Sequence, residues 1–496
     1  GVIVGDLGGG ELAGVDKLVH RVLEHPLELD RSGVGNEDIE LDCRHEHRVA
    51  NNLVGMNLPA NAHRDPITIM ADGTIKQVNP FSGTEVWTVP GRGNRPLSKP
   101  AVDPAPLGPH DRDHRCAFCS ATPLATPPEK SRIVRDGSDW RILHGLLPHE
   151  LDDTVPEFRR VPNLFEIISY DYWAKNYGYE MDTETAQRME TYLADPEGRE
   201  HVLDIVRTRL TAGGKSADVS EKELLDYVPA YFGGGHDVII ARRHFTDEAT
   251  HDNELASSGT LTPEEHFAFT LFTIDGIDDL YQRNRYAPYV AAFQNWLAPA
   301  GASFDHLHKQ LVAIDARSVQ AELEIARLRT NHNIYNEWGV DYAGYRNLII
   351  AENEHAVVHA GFGHRYPTLT IYSRSATPEP WLQSNDEIRG MSDLIHACHA
   401  ATGPDVAVNE EWHHRPVDLD LPMPWRVNIK WRVSTLAGFE GGTKIFVNTL
   451  SPDNVRDRMV SAMYRLRDEG RIAQDIKIAT ECSARRNSLL YNPLLQ

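Results

Sequence analysis

The sequence predicts an α+β protein made of two similar halves, each an antiparallel sheet with flanking helices. Three observations carry this. Short apolar runs of strand length alternate with longer runs at helical spacing. The strand and helix content of residues 70–315 is echoed over 316–496, without a residue-level repeat. The chain has 496 residues with 41% hydrophobic and 25% charged side chains, which is ordinary globular usage and room for more than one domain.

Residues 1–69 hold scattered His and Gly and no clear period, and they are read as an N-terminal extension of doubtful structure. Met70 opens a more regular run, Met70-Ala-Asp-Gly-Thr-Ile-Lys-Gln-Val, and is taken as a natural start. Ile75–Val89 reads as strand, turn, strand, with Asn79-Pro80-Phe81-Ser82-Gly83 supplying the turn chemistry. The proline-rich stretch 96–131 reads as an irregular loop around Cys116 and Cys119. His236–Ala241 reads as a buried strand. Thr262-Pro263-Glu264-Glu265 is a capping box that opens a helix through Phe267, Leu271, Ile274 and Leu280. A strand at Tyr289–Trp296 leads through a Pro-Ala-Gly-Ala-Ser turn to a second strand at His306–Ile314. The second half, 316–496, follows with a helix near Ser318–Thr330, strands at Asn347–Ala356 and Thr368–Arg374, and a closing helix at Asp453–Glu469.

Composition excludes several function classes. Lys plus Arg is 50 and Asp plus Glu is 72, a net charge of −22. Polyphosphate backbones and anionic membranes call for a basic face, so no nucleic acid and no membrane are expected as partners. No apolar run is long enough to span a bilayer, and Gly1–Gly10 lacks the pattern of a secretory signal. Five cysteines are too few and too odd for a disulfide framework, which points to a reducing, cytoplasmic setting.

Two constellations carry chemistry. Cys116-Ala-Phe-Cys119 can place two thiolates on one zinc, or act as a redox pair, or be two buried cysteines in a loop. The run Asn295 to Gln310 ends in His306-Leu307-His308-Lys309-Gln310. On a strand His306, His308 and Gln310 share one face. Three polar groups on one face of an otherwise apolar strand are costly unless they do something.

This run resembles the galactose-1-phosphate uridylyltransferase branch of the histidine-triad superfamily. The pattern Asn-x5-Gly-x-Ser-x-x-His-x-His-x-Gln is met by Asn295, Gly301, Ser303, His306, His308 and Gln310 without a gap. The resemblance implies two histidine-triad-like halves. It implies that His306 ligates structural zinc, that His308 is the nucleophile, and that Gln310 marks transferases and phosphorylases. Arg92 and Arg95 resemble the family's phosphate clamp. Cys116, Cys119, His244 and His306 resemble its Cys2His2 zinc site. Asn163 stands where the family has an asparagine near the uridine, and Glu440 matches a sugar-contacting Glu. Over residues 75–465 the resemblance implies a homodimer with the site near the subunit interface.

The chain departs from the family at a second metal site. His413 is kept, but the later His-x-His positions are Asn428 and Lys430. The expectation is that no second metal binds and that the Lys430 ammonium takes part of its place. The fourth position falls at Glu322 or Glu324. The Gln expected six residues after Glu440 is Phe446.

The roles implied are these. His308 attacks the α-phosphorus of a nucleoside diphosphate sugar. Gln310, Ser303 and Asn295 donate to phosphoryl oxygens or orient the ring. Arg92 and Arg95 neutralise the sugar phosphate. The lead reading is exchange of UMP between UDP-glucose and a hexose 1-phosphate, galactose 1-phosphate first, through a nucleotidyl-histidine. One rival is a phosphorylase of nucleotide sugars or dinucleoside polyphosphates. Another is a catalytically silent zinc-containing nucleotide-binding protein. Several groups also have plainer readings. Gly233-Gly234-Gly235 reads as a turn before it reads as a phosphate cradle. His396, Cys398 and His399 read as helix packing, and Cys43, Cys398 and Cys482 as small hydrophobes.

Overall fold

The structure, a computed structural model, describes residues 65–91, 103–108, 110–483 and 485–495. The body begins with a small sheet of β1 (Ile67–Ile69), β2 (Ile75–Val78) and β3 (Glu85–Thr88). Residues 67–69 are thus a strand of the body, where the sequence placed the end of an extension. Ile67 is buried in the core and gives the reason. The β2–β3 turn forms because the Asn79 Oδ1 accepts from the backbone N–H of Phe81 and of Ser82, both at 2.9 Å.

The first half continues with β4 (Ser131–Asp136), β5 (Asp139–His144), β6 (Pro156–Pro162), β7 (His236–Ala241), β8 (Tyr289–Trp296) and β9 (His308–Ile314). The second half holds β10 (Ile349–Glu352), β11 (Ala356–Gly361), β12 (Thr368–Ser373), β13 (Val408–His413), β14 (Arg426–Trp431), β15 (Ile445–Asn448) and β16 (Lys477–Ile478). Twelve of these strands form one continuous sheet in the order β16-β10-β11-β12-β14-β13-β8-β9-β7-β6-β4-β5. All of its pairings are antiparallel. The sheets of the two halves therefore join edge to edge through β8 and β13, where Asn295 stands opposite Asn409. β15 leaves to pair in parallel with β3.

Most helices cover one face of the large sheet, while the helix Val319–Thr330 lies on the other, where its Glu324 meets Arg426. α1 (Tyr170–Tyr177), α2 (Thr183–Ala194) and α3 (Pro196–Ala212) build a layer between β6 and β7 that the sequence reading leaves out. α4 (Pro263–Arg283) starts at the expected box, with Thr262 accepting from Glu265 N and Glu265 reaching back. It buries Phe267, Phe269, Phe272 and Ile277. α5 (Val319–Thr330), α6 (Asn385–Thr402), α7 (Gly438–Thr443) and α8 (Pro452–Asp468) follow, beside shorter helical turns. α6 packs against both α4 and α8. It buries His396, Cys398 and His399, as helix packing predicts. The strand expected at His306–Ile314 opens at His308, because His306 is turned aside to other partners.

The glycine run 233–235 is a packing device. A Cβ on Gly233 would lie 2.5 Å from Met181 Cγ, and one on Gly234 2.4 Å from the Ala230 carbonyl oxygen. Only glycine lets Met181, Tyr170 and the Ala230 carbonyl come this close to the chain ahead of β7. No helix among the described residues is long and apolar enough to cross a membrane.

Candidate active site and metal centre

Strand alternation decides which side chains face the site. β9 pairs with β7 so that His308 stands opposite Ile240 and Gln310 opposite Val238. His236, two residues before Val238, therefore shares the face of His308 and Gln310. Lys309 and Asp237 point to the opposite, helix-covered face.

The turn before β9 is set by its backbone. Gly301 has φ +91°, a conformation closed to most residues. Leu297, the residue after β8, has φ 66°, a left-handed geometry that a leucine adopts only when its surroundings force it. Asn409 holds this turn in place. Its Nδ2 donates to Asn295 Oδ1 at 2.7 Å and to the Ala300 carbonyl at 2.8 Å. Its Oδ1 accepts from Arg432 Nη1 at 2.6 Å. Asn409 and Arg432 come from the second half, so that half shapes the loop that carries Ser303, which itself is exposed.

His308 is buried, and burial holds its pKa below the ordinary imidazole value. Its Nδ1 lies 2.7 Å from the His306 carbonyl oxygen. A carbonyl only accepts, so the proton sits on Nδ1 and the lone pair on Nε2. The ring of Phe118 meets His308 edge-on at 5.4 Å and packs on Phe304 at 4.5 Å.

Gln310 is oriented by His236, which the sequence reading misses. Ile167 N donates to His236 Nδ1 at 3.1 Å. The proton is then on Nε2, which donates to Gln310 Oε1 at 3.0 Å. That leaves the Gln310 amide N–H groups free to act on another acceptor. Asn163 Nδ2 lies 3.1 Å from the same His236 nitrogen; two donors face each other there, so this is proximity and no hydrogen bond. The only hint of His236 in the sequence is a polar residue opening an apolar strand in register with the catalytic one.

Cys116, Cys119, His244 and His306 converge, with their ligand atoms all within 4.8 Å of one another. The sulfur–sulfur distance is 3.8 Å. Cys116 Sγ is 3.6 Å from His244 Nδ1 and 3.5 Å from His306 Nδ1. Cys119 Sγ is 3.5 Å and 3.9 Å from the same atoms. Bonds of about 2.3 Å to sulfur and about 2.0 Å to nitrogen around a tetrahedral ion imply edges of about 3.8 Å for S–S and about 3.5 Å for S–N. The four groups fit such an ion. His306 Nε2 donates to the Ala241 carbonyl at 2.7 Å, which turns the Nδ1 lone pair toward the sulfurs.

The second-half positions on the same sheet face hold ion pairs. Arg426 makes a two-bond contact with Glu324 at 2.7 and 3.0 Å. Tyr335 Oη donates to Glu324 at 2.6 Å. Lys430 pairs with Glu411 at 2.5 Å, and Asn428 Nδ2 donates to His413 Nε2 at 3.2 Å. Glu324 is therefore the residue at that position. Glu322 lies on the surface against Arg317.

On the opposite face, directly behind His308 and Gln310, Lys309 forms an ion pair with Glu410 at 2.8 Å, both wholly buried. Glu410 also binds His399 at 2.6 Å and accepts from Trp412 Nε1 at 2.6 Å. Glu440 is used by its own loop, accepting from Ala437 N at 2.7 Å and Val447 N at 3.4 Å. Phe446 packs on the Arg365 guanidinium. Arg92, Arg95 and Cys43 lie outside the described residues.

A protein-family model described as "Domain of unknown function (DUF4921)" matches residues 70–491. Over 179 residues the chain is 27% identical to a protein of Arabidopsis thaliana named ADP-glucose phosphorylase, a stretch that covers 34% of this chain and 50% of that protein. The chain thus spans about half the length of the curated relative it matches. The fold is that of a crystal structure of an ADP-glucose phosphorylase from Arabidopsis thaliana with bound ADP-glucose. The TM-score is 0.51 at 18% identity, over 78% of this chain and 98% of the other. A galt-like protein from Arabidopsis thaliana superposes with a TM-score of 0.48 at 18% identity, again over 78% and 98%.

Proposed function

Since the chain belongs to the DUF4921 family and has a fold of the galactose-1-phosphate uridylyltransferase type, we propose that it is a nucleotide-sugar phosphorylase working through a nucleotidyl-histidine. The observation that carries this reading is the neutral His308, with its Nε2 lone pair free, beside a Gln310 whose amide is oriented by His236. Neutral imidazole attacks phosphorus well and leaves well. Glutamine cannot supply the acid–base chemistry of a third histidine, so it stabilises charge and leaves the adduct to an acceptor other than water.

The steps balance as follows. His308 Nε2 forms a P–N bond to the α-phosphorus of the nucleotide sugar, and the bridging P–O bond breaks to release the hexose 1-phosphate. Inorganic phosphate then attacks the adduct, the P–N bond breaks, and the nucleoside diphosphate leaves. ADP-glucose is the first candidate substrate, because the named relatives act on it. Arg92 and Arg95 are assigned to the sugar phosphate and Asn163 to the nucleoside. Cys116, Cys119, His244 and His306 would hold zinc. Its contribution when bound is structural, since four protein ligands leave no open position. Glu440 is assigned to the sugar, and the assembly to a homodimer.

The second reading is exchange of UMP between UDP-glucose and galactose 1-phosphate. Phe446, packed on Arg365, disfavours it, since a sugar-binding amide is missing there. Intact-protein mass after incubation with ADP-glucose or UDP-glucose, without acceptor, separates the readings. An AMP adduct that inorganic phosphate discharges supports the phosphorylase. A UMP adduct that only galactose 1-phosphate discharges supports the transferase. No adduct with either, or an adduct that persists in His308→Ala, overturns both.

A further inference from the structure

A second set of cationic side chains lies across the sheet from His308. Register separates the two places. Arg159, opposite Ile240 on β7, points to the His308 face and donates to the Phe118 carbonyl. Its neighbour Arg160, opposite Ile239, points to the helix-covered face, where Nη2 donates to Asp279 at 2.7 Å. There a cavity of about 340 Å³ opens between the sheet and the α2 layer, lined by the cations Lys130, Arg160, Arg188 and Arg283, by the carboxylates Asp279 and Glu184, and by Phe232.

Three of the four cations have acidic partners. Lys130 pairs with Asp237 at 2.7 Å, and Arg160 and Arg283 share Asp279 at 2.7 Å each. Arg188 is the exception. Its guanidinium donates to the Glu129 carbonyl and lies over the Phe232 ring. Among the described residues no carboxylate pairs with it. Burial, and then the nearby Arg160 and Arg283, push its pKa down to about 10. A largely enclosed cation next to two others is a standing electrostatic cost unless a counter-charge is present. The Nε of Arg188 and the Nε and Nη1 of Arg160 also lack hydrogen-bond partners.

We propose that this cavity binds a small phosphate-bearing anion, with the Arg188 guanidinium as its principal partner. A forked guanidinium suits phosphate oxygens. Phe232 gives an apolar wall against which the body of a phosphate ester rests. The site is separate from the proposed nucleotidyl transfer, since it lies on the other face of the sheet. It stands whether or not that reaction is the right one.

Crystals of the full chain soaked in tungstate test the proposal. The expected result is an anomalous peak in the cavity within hydrogen-bonding distance of Arg188. Co-soaks with inorganic phosphate and with glucose 6-phosphate then show whether a free phosphate or an ester displaces it. Thr191→Glu places a carboxylate one helical turn from Arg188 on the exposed side of α2. It should abolish the peak while leaving the thermal midpoint unchanged or raised. A wild-type crystal with tungstate elsewhere and none in the cavity overturns the proposal, as does a peak that neither phosphate displaces or one that persists in Thr191→Glu.

Discussion

The Nδ1–H of His308 donates to the carbonyl oxygen of His306 at 2.7 Å. One hydrogen bond therefore joins a residue of the candidate metal centre to the proposed nucleophile. The position of the attacking nitrogen depends on where the Cys2His2 cluster holds residue 306, and its tautomer on the same contact.

Removal of the metal should accordingly cost both stability and turnover. Cys116→Ser should lower the metal content from near one ion per chain, depress the thermal midpoint, and reduce turnover by about 10- to 100-fold. Plasma emission spectrometry and a thermal melt on the same preparation check this. A Cys116→Ser protein that is metal-free and fully active would refute it.

His236→Phe should keep the fold and lose the orientation of Gln310. The amide is then free to rotate, and charge stabilisation at the phosphoryl group weakens. The expected loss in kcat is on the order of 10- to 100-fold, with KM changed far less. Steady-state kinetics beside Gln310→Ala show whether the two losses coincide, as they should when both act through one amide.

The Lys309–Glu410 pair behind the catalytic strand should behave as a buried ion pair. Lys309→Met leaves the buried Glu410 with only His399 and Trp412 as partners and should destabilise the fold by about 3–5 kcal/mol. The double variant Lys309→Met, Glu410→Gln should recover much of that loss. Urea unfolding of the three proteins measures the difference.

Asp393 on α6 is buried and its Oδ1 has no hydrogen-bond partner. Burial raises its pKa from 3.8 to about 7. The folded state therefore holds this proton more tightly than the unfolded chain. Its contribution is fully present below about pH 4 and is lost as pH rises through 7. Asp393→Asn should flatten that decline, leaving the variant more stable than the parent above pH 7 by on the order of 2–4 kcal/mol. Denaturation midpoints across pH 5–8 test it, and parallel curves for the two proteins would count against it.

Local order made part of this molecule legible in advance. His306, His308 and Gln310 sit within five residues, so strand alternation alone puts them in one place. Thr262 and Glu265 announce α4 by a contact three residues long. Other features arise only from distant pairing. His236 becomes a site residue because β7 lies against β9, more than seventy residues on. Asn409 reaches Ala300 because the two sheets fuse. Arg426 takes Glu324 across a hundred residues, a partnership that the expected Lys430 substitution does not reveal. The α1–α3 layer is legible too, since α3 buries Leu203, Val206 and Leu210 at helical spacing, a pattern that the sequence reading passes over.

The seam between β8 and β13 also bears on how the chain is made. When Trp296 and Ile314 have left the ribosome, β8 has β9 on one side and nothing on the other. Its second edge stays open until Val408–His413 has been synthesised. For that interval the nascent polypeptide displays a hydrogen-bonding edge that any extended segment could occupy. The protein is therefore open to edge-to-edge misassembly midway through translation, and its yield should respond to chaperone supply at that stage.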